Sequence, residues 1–563
     1  MDYALLLATY HALEKTTKRL AKTTILAQLF KNTTPTLLKS VVYLAQGRVY
    51  PGWSEEKIGF SDQLMIKALA SVYGTTPETI NKHFSKLGDL GKVAEQLAKK
   101  KSQQTLFHKK LDVEKVYYNI RQLSRLEGEG TVKKKIQLVS ELFSNATPEE
   151  ARFITGTILE NLRLGVADGI IRDAIAEAYG LTSEEIEQAN DLLVDYGEIA
   201  SLAAQQKLRE VHLVPGRPLH VMLAILVKDI NEGFERVGKP AALEYKYDGF
   251  RVLCHKEGKK ISLYTRRMEE VTNQFPDVVE ALQECINAES YIIDSEVVGY
   301  DPKTKKYQPF QSISQRIKRK YDIRAVAKDF PIEINVFDIL YYNNKSFLEE
   351  PFQERRKLLE KVTQEKKEHL RLAQQLITED KKKAEQFYQA ALQAGHEGIM
   401  FKSLSSKYKP GRYIGYMAKL KPVLETLDLV ITRADWGEGK RSRWLSSFTV
   451  ACRDESDNLV ELGKVSTGLK EKKEEGITFE QLTEELKPHI ISEEGTSVAV
   501  KPTLVIEVAF EEIQRSPTYE SGYALRFPRI IRVRFDRSIN DISTIDEAIK
   551  IFSLQRGRTK KPQ

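Results

Sequence analysis

One lysine in this chain stands where a solvated charge is not the whole account. The segment LEYKYDGFRV (243–252) reads as a strand closed by an Asp-Gly hairpin turn, with Lys246 in its middle. Glu244 and Asp248 share its side of the extended chain, while Leu243, Tyr245 and Tyr247 take the other. A lysine amine attacks an electrophile only when neutral, which requires burial or neighbouring cations. Lys-x-Asp-Gly by itself fits many solvated hairpins, so the reactive reading depends on the residues that accompany it.

Those residues recur in order downstream. Glu296 sits in the strand-like IIDSEVV, among apolar or small neighbours where an unpartnered carboxylate is costly, so it calls for a metal or a ribose hydroxyl. In EGIMFK (397–402), Glu397 and Lys402 bracket an apolar run. AKLKP (418–422) puts Lys419 and Lys421 on one face, two like charges that repel unless they meet an anion such as a triphosphate. Phe337 in NVFDIL suits the core and a stacked base equally. Together these supply a nucleophile, cations for phosphate oxygens and carboxylates for a divalent metal, the inventory of nucleotidyl transfer. No GxxxxGK[ST] loop occurs, which excludes a P-loop ATPase.

The elements that must position this set fall into several units, since 563 residues exceed one core. Residues 1–210 read as helical: in ARFITGTILENLRLGVADG, Phe153, Ile154, Ile158, Leu162 and Val166 recur at helical spacing. Around VPGRPLHVMLA (214–224) the texture changes to short β-rich runs, which places a second domain at 211–422. Within it, QERRKLLEKVTQEKKEHLRL (353–372) reads as a solvated amphipathic helix. Residues 423–555 read as a small β-barrel domain, and 556–563 as a basic, disordered tail. Three scattered cysteines without a CxxC pair argue against disulfides and zinc. A net charge of +8 suits a polyanionic partner. No apolar run approaches the ~20 residues of a membrane span and no secretory signal opens the chain, so a cytoplasmic, chromosome-associated monomer is expected.

In this order KYDGFR, YTRR, DSEVV, NVFDIL, EGIMFK and AKLKP resemble the successive motifs of the covalent nucleotidyltransferases. The whole chain resembles the ATP-dependent DNA ligases of the archaeal and eukaryotic replicative type. NLRLGVADG is similar to part of their helical DNA-binding domain, and GYALRFPRIIRVRFDR (522–537) to the end of their oligonucleotide-binding barrel. The resemblance implies a multidomain α and α+β architecture: an all-helical N-terminal DNA-binding domain, an α+β adenylation domain and a C-terminal OB-fold β-barrel.

It further implies that Lys246 takes AMP from ATP, that AMP passes to the 5′-phosphate of a nick in duplex DNA, and that the 3′-hydroxyl then closes the strand. By the same resemblance Glu244 lies near adenine and Phe337 stacks on it. Arg251 and Arg266 reach ribose and phosphates, Glu296 the ribose or the metal, and Lys419 and Lys421 the α-phosphate. Glu397 helps hold Mg²⁺, with Mn²⁺ as the alternative. Two positions depart from the family pattern: an expected arginine falls at Tyr413, leaving Arg412 beside it, and the last motif is RFDR where Arg-x-Asp-Lys is usual. SQQTLF (102–107), with Gln103, Leu106 and Phe107, is similar to a sliding-clamp-binding segment and equally describes a polar loop. An RNA ligase or capping enzyme leaves the helical region unexplained. A non-catalytic DNA-end scaffold would not need the lysine and its cations, and an NAD-dependent ligase would bring a CxxC zinc module.

Overall fold

The computed structural model describes residues 1–54, 56–100, 110–126, 130–308, 313, 316–317, 323–411, 415–422, 425–471 and 477–554. From Tyr3 to Ala204 the described structure is helical. The helix ends follow local chemistry. Asp2, Ser61, Asp89, Asp112 and Asp195 accept amide protons at N-termini, and Thr147 and Thr182 form reciprocal caps with Glu150 and Glu185. Their apolar faces, with Leu6, Tyr10, Phe30, Val42, Ile120 and Ile154 among them, merge into one core. The helix expected to run through Val166 stops at Ile158. Glu160 and Arg163 then take left-handed backbone, and the buried Lys22 ammonium holds the loop by donating to Leu164 O at 2.5 Å.

The segment that follows is fastened on both sides. Gly216 donates its amide to His255 Nδ1 (3.2 Å), and its carbonyl accepts from the Tyr264 hydroxyl (2.7 Å). Arg217 pairs with Glu198 (2.7 Å) and Asp195 (3.4 Å) of the last helix. Burial pushes His255 down to about 3, which keeps it the neutral acceptor that this contact needs.

Twelve strands follow among the described residues: β1 (Ile225–Val227), β2 (Ala241–Lys246), β3 (Phe250–Glu257), β4 (Lys260–Thr265), β5 (Ser290–Tyr300), β6 (Tyr307–Gln308), β7 (Ile332–Tyr342), β8 (Lys345–Ser346), β9 (Leu370–Leu372), β10 (Gln375–Thr378), β11 (Gly398–Ser403) and β12 (Met417–Leu420). They form two sheets. One has the order β1-β12-β11-β2-β10 and the other β4-β3-β5-β7-β8, with β6 on β5 and β9 on β7. Each carries its own core, Leu243, Phe401 and Ala418 in the first and Val252, Ile293 and Val336 in the second. The expected hairpin at Asp248-Gly249 is therefore corrected: β2 and β3 do not pair, and the turn carries the chain from one sheet to the other. Period and turn chemistry cannot distinguish these outcomes, because pairing is settled by which cores the strands cover.

The C-terminal region is β-rich: β13 (Glu425–Trp436), β14 (Leu445–Arg453), β15 (Leu459–Val465), β16 (Ile490–Glu494), β17 (Ser497–Val500), β18 (Val505–Phe510), β19 (Glu512–Arg515), β20 (Tyr523–Arg526) and β21 (Arg529–Val533). Along β13 the N-terminal half pairs with β18 and the C-terminal half with β17, while β14 takes the other edge, which curls the sheet around Leu429, Phe448, Val450 and Ile506. The tail 556–563 lies outside the described residues.

The charged helix is shorter and less solvated than its sequence suggests. It spans Phe352–Val362 and buries Arg355 and Arg356. Arg355, 0% exposed, grips Asp338 through Nε (2.7 Å) and Nη2 (3.0 Å) and donates to two carbonyls, Glu350 O and Ser406 O. Charge density along a helix cannot reveal a carboxylate waiting in a distant strand. Arg355→Met leaves Asp338 buried without its counter-ion. It should lower the stability of this region by about 3–5 kcal/mol, read as an earlier urea transition of the domain; a loss under about 1 kcal/mol would contradict the assignment.

Candidate active site

The site is built on strand register. Lys246 faces Gly398 across β2 and β11, Glu244 faces Met400, and Met400 faces Lys419 of β12. Backbone contact continues past the ladder, where Glu397 donates its amide to Lys246 O at 2.8 Å. The Glu397 carboxylate lies 2.7 Å from Lys246 Nζ and 2.8 Å from Lys421 Nζ. Gly398 is what permits this approach: with φ +149°, a Cβ there would stand 2.0 Å from Leu420 O. Burial alone would raise the Glu397 carboxyl, but the ammoniums of Lys246 and Lys421 outweigh it and hold it at about 2. Lys419, crowded by burial and by both other lysines, is pushed down. Lys421 is held up against burial by Glu397 and Glu511.

Across the turn, Gly249 passes so close to β5 that a Cβ would meet Val297 O at 2.2 Å. Arg251 on β3 then faces Glu296 on β5. Its guanidinium forks onto Asp294 (2.8 and 2.5 Å) and donates to Met222 O (2.7 Å). The Tyr408 hydroxyl donates to Asp294 (2.8 Å) and accepts from the Met222 amide (3.0 Å). Asp294, fully buried, and Tyr408 were not singled out in the sequence; the first sits two positions before Glu296 in DSEVV, and nothing local marks the second. Glu296 is raised to about 8, because burial outweighs the pull of Lys246 and Arg251.

Glu244 is 2% exposed and closely held, by Lys402 Nζ (2.5 Å) and by the Gln375 amide (2.8 Å). Phe337 lies under that lysine, with Nζ 4.3 Å from the ring centre, and also packs with Tyr247, Val298 and Ala373. It is thus part of a small apolar cluster and of the cavity wall at once. Glu244, Lys246, Arg251, Arg266, Glu296, Phe337 and Lys419 line one cavity of about 910 Å³, large enough for a nucleotide. Glu397 and Lys421 stand behind Lys246, and Arg266 sits exposed at the lip. Arg412, and the Gln103, Leu106 and Phe107 segment, lie outside the described residues.

Among the described residues no group of three or more His, Cys, Asp or Glu gathers as a metal cage. Glu296 on the cavity wall and Glu397, 2.7 Å from Lys246, are nevertheless carboxylates that could hold Mg²⁺, which takes one or two carboxylates and completes its shell with water and substrate phosphate. The carboxyl raised by burial is one that a bound cation would satisfy.

Three family models match the chain: a DNA ligase N terminus over residues 2–176, an ATP dependent DNA ligase domain over 221–421, and an ATP dependent DNA ligase C terminal region over 441–537. A DNA ligase of Nanoarchaeum equitans is 50% identical over 529 residues, covering 93% of both chains. One from Thermococcus onnurineus is 40% identical over 566 residues and covers 100% of both. The solved structure titled Pmar-Lig_Pre has a TM-score of 0.55 at 15% identity, over 94% of this chain and 99% of that one, a likeness of fold.

The raised Glu296 carboxyl makes a signed prediction. The folded protein keeps a proton there that the unfolded chain releases above about 4.5, so wild type loses stability relative to Glu296→Gln as pH rises, until both states are ionised above about 8. The Gln variant should be more stable by roughly 4 kcal/mol at pH 8 and equal near pH 4, by chemical denaturation across that range. A gap that does not change with pH would refute it.

Proposed function

The chain belongs to the ATP-dependent DNA ligases, and from that premise we propose that it seals nicks in duplex DNA through AMP carried on Lys246. In the first step the neutral Lys246 amine attacks the α-phosphorus of ATP. An N–P bond forms, the bond to the β-phosphate oxygen breaks, pyrophosphate leaves and the amine proton passes to solvent. The 5′-phosphate oxygen of the nick then takes AMP from the lysine, which regains its proton. Finally the 3′-hydroxyl attacks that 5′-phosphorus, and AMP departs.

The observation that carries this reading is the placement of Lys246: at the wall of a nucleotide-sized cavity, tied to Glu397 at 2.7 Å and grouped with Lys419 and Lys421. Glu397 fixes the amine in direction, and the lysine pair meets the charge that grows on the α-phosphate. Glu244 and Phe337 receive the adenine, Arg251 and Arg266 the ribose and phosphates, and Glu296 the ribose or the metal. Arg412 supplies a further nucleotide contact. Bound at Glu296 and Glu397, Mg²⁺ would neutralise developing phosphate charge, with Mn²⁺ able to substitute.

The division 1–210, 211–422 and 423–555 gives a DNA-holding unit, an adenylation unit and a barrel that together embrace the duplex through its phosphates, with 556–563 as a basic tail. Gln103, Leu106 and Phe107 would tether the enzyme to a sliding clamp. That supports work in replication, repair and recombination by a monomer at the chromosome. No described helix is long and apolar enough to cross a membrane.

Incubation with α-labelled ATP and Mg²⁺ should leave label on the denatured wild-type protein that survives alkali and is lost in acid, as an N–P bond requires, and that can be chased onto nicked duplex before denaturation. Lys246→Ala should take up none, and label persisting on that variant would sink the proposal.

A further inference from the structure

Lys22 is a buried lysine that the adenylation chemistry does not use. It lies on the helix Arg19–Lys31 at 8% exposure, and its ammonium donates to Leu164 O at 2.5 Å and to Gly165 O at 3.4 Å. Among the described residues no carboxylate pairs with it. Asp168, at the end of the same loop, is engaged elsewhere, by Arg48 (3.1 Å) and by the Gln46 amide (2.9 Å). A buried cation whose partners are carbonyls alone has no counter-charge, which is costly until an anion completes the site.

The loop above Lys22 is shaped to turn one set of groups outward. Gly47 lets it pack closely, since a Cβ there would stand 2.9 Å from Leu162 Cβ, and Asn161 donates its amide to Gly156 O at 2.7 Å. Arg163 (φ +51°) and Gly165 (φ +62°) take left-handed backbone on either side of Leu164, an alternation in which successive amides can line an anion site. A planar trans peptide points its carbonyl and the next residue's N–H in opposite directions. With the carbonyls of Leu164 and Gly165 turned inward to Lys22, the amides of Gly165 and Val166 turn outward, and neither has an acceptor among the described residues. Gly165 itself is exposed, as is Arg163 in the same loop.

We propose that Lys22 is a positioning residue for duplex DNA. Its ammonium fixes the peptide planes from Leu164 to Val166 so that the Gly165 and Val166 amides take one backbone phosphate of the duplex, and its charge answers that phosphate from behind. This rests on the nick-sealing reading above and deepens it, by naming how the helical region holds the substrate. No base is read there, so the contact is indifferent to sequence.

Sealing of a nick that already carries 5′-AMP, followed across duplex and salt concentrations on the full-length enzyme, tests this. Lys22→Met keeps the length of the side chain and removes the ammonium. It should raise KM for the nick about tenfold with kcat within about twofold, and lower the slope of log KM against log salt by about one. Labelling of Lys246 by ATP without DNA should stay within about twofold of wild type, a readout that a general folding defect would move. Gly165→Ala, whose Cβ would meet Lys22 Nζ at 2.9 Å, should raise KM in the same direction, and Lys22→Arg should recover part of the loss. An unchanged KM or an unchanged salt slope in Lys22→Met, or labelling that falls in step with sealing in both Lys22→Met and Gly165→Ala, would each overturn the proposal. Wild type that seals no nick would bring down the nick-sealing reading and this one together, whereas active wild type with an unchanged Lys22→Met brings down this one alone.

Discussion

A single carboxylate shared by two ammoniums organises this molecule. Glu397 lies 2.7 Å from Lys246 and 2.8 Å from Lys421, which come from strands on either side of it in the sheet. At such separations like charges cost several kcal/mol in a partly buried site; the shared carboxylate offsets that and leaves net positive charge for an anionic substrate. The rest of the geometry follows. The chain must reach Glu397 beside β2 and β12, so residue 398 must be glycine, and β11 must run between the two lysine strands. The C-terminal domain reaches the centre by adding one more carboxylate, Glu511, to the same charge group.

Around that group the cations divide into two kinds. Arg251 and Lys402 on the cavity wall, and Arg355 and Arg356 outside its lining, are held by buried carboxylates or carbonyls. Lys419 and Arg266 face the cavity with no such partner among the described residues, and Lys246 and Lys421 share theirs. Fixed donors aimed at one space avoid reorganisation when charge develops there. The locked arginines set the shape, and the lysines supply the field.

How much of this was legible depends on the range of the interaction. Helical periodicity, β-rich texture and the ordered motifs were local, and the architecture they imply agrees with the fold. Lys246, Glu296, Phe337 and Lys419 stood out by residue type and order, Glu244 and Arg251 were placed at the nucleotide by the resemblance, and one cavity gathers all six. What escaped was long-range. The Arg251–Asp294 fork joins residues 43 positions apart, and the Tyr408–Asp294 bond spans 114. Arg355 and Arg356 looked solvated because their partners lie on other strands. The hairpin at Asp248-Gly249 failed because the turn preference is the same whether the next strand pairs or crosses. RFDR kept its charges but found Asp428.

The fastening of Gly216 bears on how the enzyme can move. Its amide, its carbonyl and the neighbouring Arg217 are all engaged, two on the sheet and one on the last helix of the N-terminal region. Swivelling there would forfeit three bonds at about 1 kcal/mol or more each, whereas the C-terminal domain meets the lysine cluster through the exposed Glu511. In mechanical terms the contacts at Gly216 and Arg217 brace the helical region against the second sheet, as a bolt fixes one jaw of a vice, while the C-terminal domain adds the Glu511–Lys421 ion pair at the lysine cluster.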